Sequence, residues 1–74
     1  MGNILDRVGF KIRVIREEKG LSQEELGTLA GLHRAYVGQV ERGGKNVGLK
    51  NLEKIAKALN VRVRVLVDTS CADE

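Results

Sequence analysis

Residues 22–43 read SQEELGTLAGLHRAYVGQVERG, and the punctuation of this stretch describes two short helices joined by one tight turn. Ser22 suits an N-cap and Glu25, three residues on, completes a capping box, so the first helix is expected to begin at about Gln23. Gly31 ends it, because so tight a turn needs a left-handed backbone that glycine enters without the steric cost an L side chain meets. Leu32 follows, His33 stands where the next cap belongs, and a second helix is expected over 34 to about 42. Val37 and Val40 then share one face and can meet Leu26 and Ala30 of the preceding helix. Gly27 leaves room at the closest approach, which suits a steep crossing of the two helices. Arg34, Ala35, Tyr36, Gly38 and Gln39 are left facing outward.

Upstream, Leu5, Val8, Ile12 and Ile15 recur at helical spacing and Gly20 follows as a stop, which predicts a helix over about 4–19. Phe10 and Val14 form a smaller stripe on another side, either a contact with a partner subunit or partly exposed apolar surface. Downstream, Gly43, Gly44, Lys45, Asn46, Val47 and Gly48 make a glycine-rich loop with free backbone amides, a common route to close approach of a phosphate, or else an ordinary mobile connection. A helix over about 49–59 should bury Leu49, Leu52, Ile55, Ala56 and Leu59, with Asn60 as a left-handed stop. The segment VRVRVLV, 61–67, alternates like a strand, yet a fifth short helix would also close the core. A strand there needs a partner across a dimer axis, and either reading makes Val61, Val63, Val65, Leu66 and Val67 dimer-interface candidates. Residues 69–74, TSCADE, read as a disordered polar tail, leaving 1–68 as a single domain.

A chain of 74 residues holds one small domain with a thin core, which dimerisation would help to stabilise. Its composition, 42% hydrophobic and 31% charged, is that of a globular protein, and neither a membrane span nor a signal peptide is visible, so the cytoplasm is expected. Cys71 is the only cysteine, which excludes an internal disulfide and a thiol metal cluster; no metal or cofactor is expected. His33, the only histidine, reads as a cap rather than a base or ligand, and Ser22 has no histidine beside it to activate it. Without paired carboxylates or a phosphate-binding loop, the sequence argues against an enzyme. The net charge of +3 conceals an asymmetry: between Arg34 and Arg64 eight bases face only Glu41 and Glu53, so that half would attract a polyanion.

Two helices with this turn are the helix-turn-helix arrangement, and the chain resembles the Xre and phage-repressor (Cro-like) family over nearly its whole length. IRVIREEKGLSQEEL (12–26) leads into the motif and ERGGKNVGLKNLEKIAKAL (41–59) leads out of it. GLHRAYVGQVERGGKNVGLKNL (31–52), with the short length, is most similar to the controller proteins of restriction-modification systems. The resemblance implies an all-α, lambda-repressor-like domain of four or five helices that binds a pseudo-palindromic operator as a homodimer. Controllers of this kind activate and repress their own operon according to site occupancy. This sequence departs from the pattern at Gly27 (commonly Ala), His33 (usually a Ser, Thr or Asp cap), Gly48 (usually Ser or Thr) and Val65 (often polar). Some members, certain antitoxins among them, end in a strand.

In that setting Arg34 has the planar fork to grip guanine, and the Ala35 methyl suits a thymine methyl. Tyr36 can offer its hydroxyl to phosphate or its ring to a base edge, or serve as half-buried packing. Gln39, one turn beyond Ala35, matches a base-contacting position of the family and can pair bidentately with adenine. The resemblance makes Gln23 a phosphate contact at a helix N-terminus, with Arg42, Lys45, Asn46 and Lys50 as further phosphate candidates. It also makes Arg16 and Glu41 a buried structural ion pair. The expected partner is a double-stranded DNA operator read by a homodimeric transcriptional regulator. The alternative is an antitoxin that binds a protein toxin and represses its own operon, prompted by VRVRVLV and by Phe10 and Val14.

Overall fold

Asn3 opens the first helix by accepting a hydrogen bond from the Asp6 amide at 3.0 Å, and α1 (Ile4–Glu18) follows. The structure is a computed structural model that describes residues 3–68. Val8 and Ile12 of α1 are buried and Leu5 and Ile15 half-buried, as the spacing predicts, and Gly20 makes the exit turn at φ 73°. Gly9, on the same side, lies so close to the end of α3 (Arg34–Glu41) that a Cβ there would collide with the Val40 and Glu41 carbonyl oxygens. Two backbones therefore touch at this point.

The capping box of α2 (Gln23–Ala30) is complete: Ser22 Oγ accepts from the Glu25 amide at 2.9 Å, and the Ser22 amide donates to Glu25 Oε1 at 2.8 Å. Gly31 takes the left-handed conformation at φ 73°, and the Leu32 amide returns to the Gly27 carbonyl at 2.8 Å. A Cβ on Gly27 would stand 2.5 Å from the Leu32 carbonyl oxygen, so the residue that weakens the helix intrinsically is the one the turn has room for. His33 does cap α3, its Nδ1 accepting from the Ala35 amide at 3.0 Å. Gly48 opens α4 (Leu49–Leu59) with no side-chain cap, and Asn60 closes it at φ 61°.

The ambiguous C-terminal segment is a helix, α5 (Val63–Val67). Its amides find partners locally, Val65 to the Arg62 carbonyl at 2.9 Å and Asp68 to that of Arg64 at 3.0 Å, which an unpaired strand could not offer. Leu66 is thereby driven fully into the core between α1 and α4. This corrects the dimer-interface expectation for Leu66, which is fully enclosed by its own subunit. Val61 and Val63 are half-buried against the same core, while Val65 and Val67 are exposed.

α2 packs on α3 and α4, and α1 on α3 and α5, around Val8, Ile12, Leu26, Val37, Ile55, Leu59 and Leu66. Leu49 does not join them; it is 79% exposed, because it continues the apolar stripe of α4 past the end of the core. No helix among the described residues is long and apolar enough to cross a membrane. The expected tail at 69–74, with Cys71, lies outside the described residues.

Candidate nucleic-acid interface

Val37 and Val40 hold one side of α3 against α2 and α1, and this presents the opposite side to solvent. Arg34, Ala35 and Gln39 are exposed there, as expected. Tyr36 is half-buried against the core, and its hydroxyl accepts a 3.0 Å hydrogen bond from Asn51 Nδ2 of α4. Gly38 is not on the open surface. It is buried beneath two side chains, and a Cβ there would stand 3.2 Å from Arg42 Nη1 and 3.4 Å from Gln23 Oε1. Arg34 approaches Glu24 of α2 at 3.7 Å, but both side chains are mostly exposed, so this pair contributes about 0–1 kcal/mol.

The expected ion pair is present and buried. Glu41 receives Arg16 Nε at 2.7 Å and Arg16 Nη2 at 3.0 Å, a bidentate fork in which each residue is only 8% exposed. Gln23 Nε2 adds a third hydrogen bond to Glu41 Oε1 at 3.0 Å, and Arg16 Nη1 donates to the Leu21 carbonyl at 2.7 Å. One carboxylate thus ties α1, the entry to α2 and the end of α3 together. The hydrogen bond to Glu41 raises the Arg16 pKa; desolvation opposes the shift, and the charges of Glu41 and Glu17 add to it. A cation whose folded pKa is raised contributes stability that is complete below its unfolded pKa and is lost only as pH rises through the folded one. For a guanidinium that window lies far into alkali, so its contribution is constant across the neutral range.

Arg42, Lys45, Asn46 and Lys50 are all exposed, Arg42 as the C-cap of α3, Lys45 and Asn46 in the following loop and Lys50 in the first turn of α4. Two of the loop amides are already committed, contrary to the expectation of a free set. Gly43 donates to the Val40 carbonyl at 3.0 Å and Gly44 to that of Gln39 at 2.9 Å, closing the end of α3. Arg13, which carried no sequence signal, shares a surface hollow with Gln23 and Arg42 and pairs with Glu17 at 3.2 Å. Asn51 was also missed, since nothing in a sequence links it to a tyrosine fifteen residues away. Among the described residues, no three His, Cys, Asp or Glu side chains are grouped to hold a metal ion.

A capped helix pair with a glycine turn, carrying an exposed basic and polar face on its second helix, is the helix-turn-helix architecture. The helix-turn-helix family pattern matches residues 12–66, and the chain belongs to that family of DNA-binding regulators. Among its relatives, the control protein C.BamHI of Bacillus amyloliquefaciens is 48% identical over 67 residues, spanning 89% of this chain and 83% of that protein. The crystal structure of the restriction-modification controller protein C.AhdI from Aeromonas hydrophila is similar with a TM-score of 0.83 at 52% identity, covering 84% of this chain and 94% of that one. SinR of Bacillus subtilis, a master regulator for biofilm formation solved in complex with DNA, is similar with a TM-score of 0.79 at 37% identity, covering 82% of this chain and 98% of that one.

Proposed function

We propose that this protein is a sequence-specific transcriptional regulator of the restriction-modification controller type, which binds a pseudo-palindromic operator as a homodimer and governs its own operon. The observation that carries the reading is α3 itself: its inner face and C-terminal end are locked, while Arg34, Ala35 and Gln39 stand exposed on its outer face. A helix so held can enter a major groove without rearranging its scaffold. Arg34 grips a guanine, Ala35 packs on a thymine methyl, and Gln39 pairs with adenine. Tyr36 contributes its hydroxyl at the side of the groove. Arg42, Lys45, Asn46 and Lys50 hold the phosphate backbone, and Gln23 joins them with the amide N–H that Glu41 leaves over. The exposed Val65 and Val67 form the apolar centre of the dimer contact, which sets two α3 helices into successive major grooves about 34 Å apart.

The antitoxin alternative was prompted by the segment 61–67, of which Val63–Val67 is the helix α5, and by Phe10 and Val14. Selection of bound duplexes from a random pool, with footprinting upstream of the protein's own gene, tests the regulator reading. The expected result is a two-fold-related pair of half-sites occupied by a protein that sediments as a dimer. Recovery of no enriched sequence would overturn it.

A further inference from the structure

Tyr36 and Asn51 form the one hydrogen bond between side chains that links α3 directly to α4 among the described residues, at 3.0 Å and half-buried. A phenol has one proton to donate and two lone pairs to receive with. Here the carboxamide N–H of Asn51 occupies a lone pair, so the hydroxyl proton is left to point elsewhere. Tyr36 is half-buried against the core on α3, the helix whose exposed face carries Arg34, Ala35 and Gln39, and its hydroxyl has a proton that the bond from Asn51 does not use.

From this we infer that Asn51 is a positioning residue: it holds Tyr36 as a hydrogen-bond donor aimed at an acceptor oxygen or nitrogen of the bound DNA. The inference rests on the regulator reading above and gives Tyr36 a polarity which that reading leaves open. The acceptor is either a phosphate oxygen or a base-edge atom such as guanine O6 or N7, adenine N7 or thymine O4, and both call for the same proton. Asn51 touches no DNA in this arrangement. Its effect passes entirely through the phenol.

A double-mutant cycle on the full chain tests the inference, using a duplex selected from a random pool and an unselected duplex as probes. Asn51→Ala and Tyr36→Phe should each weaken binding to the selected duplex about fivefold, and the double variant should lose about fivefold again rather than about twenty-fivefold, because both remove one hydrogen bond. Asn51→Asp replaces the donor by an acceptor that captures the phenol proton, so it should bind worse than Asn51→Ala when Tyr36 is present. The plain effect of its added charge is read in the Tyr36→Phe background and subtracted. A scan of single base changes locates the acceptor: loss of preference at one shared position marks a base, and equal weakening on all duplexes marks a phosphate. Thermal melting of each variant separates these effects from folding. Additive losses, or no excess penalty for Asn51→Asp with Tyr36 present, would overturn the inference while leaving the regulator reading intact. Absence of any preference in the wild-type protein would overturn both.

Discussion

At its C-terminal end α3 carries Glu41, whose buried carboxylate receives three hydrogen bonds from Arg16 and Gln23, and its backbone lies against Gly9 of α1. At its N-terminal end one imidazole nitrogen of His33 meets one amide, and Arg34 reaches only a loose, exposed pair with Glu24. The two ends of a single eight-residue helix thus differ in what holds them. A short helix has little stability of its own and takes its position from tertiary contacts. At the N-terminal end the turn holds the backbone close to Gly27, while the exposed side chain of Arg34 keeps only water and a weak ion pair to exchange for DNA.

The strongest way to break this contrast is Glu41→Ala, which leaves the Arg16 guanidinium buried without its partner and should cost about 3–5 kcal/mol in chemical or thermal unfolding. A loss no greater than that of the cap variant below would mean that the C-terminal end is not the anchor. Next comes Arg34→Ala, which should leave the melting temperature unchanged yet lose about 1–3 kcal/mol on the selected duplex and relax base preference there. Lys45→Ala sharpens that result by comparison. It should weaken all duplexes alike and flatten the salt dependence of affinity by about 0.9 log unit per log unit of salt. At the N-terminal end, His33→Ala should cost about 1 kcal/mol of stability, the ordinary worth of a helix cap, measurable by urea unfolding. The smallest effect is a gain. Gly48→Ser adds a cap where α4 has none and where a Cβ meets open space, and it should raise stability by a few tenths of a kcal/mol, a serine cap being that much better than glycine.

The parts of the fold that could be read from the chain are those written in local signals. Ser22 with Glu25, Gly31 and the Val37–Val40 pair placed α2, the turn and α3 because caps, left-handed turns and helical spacing act within a few residues. The alternating VRVRVLV stayed ambiguous because its period is that of a strand, and the decision came from Leu66 filling a space between α1 and α4 that no local pattern describes. Periodicity named a face for Leu49 but not whether anything stands opposite it. In the same way, Gly38 was placed outward by its position on the helix, yet Gln23 of α2 and Arg42, one turn further along, cover it. The ion pair of Arg16 and Glu41 came from the resemblance, and its third donor, Gln23, from the structure alone. Asn51 had no sequence signal at all, since its bond to Tyr36 exists only once α3 and α4 are side by side.

Leu66 has a consequence for how the molecule is born. Synthesis proceeds from the N-terminus, so Ile12, Leu26, Ile55 and Leu59 leave the ribosome before the residue that completes their packing. Until Leu66 is in place, the apolar surfaces of α1 and α4 that it covers stay open. The core is therefore closed by nearly the last of the described residues, and a chain lacking Leu66 would leave the apolar surfaces of α1 and α4 facing each other across an unfilled space.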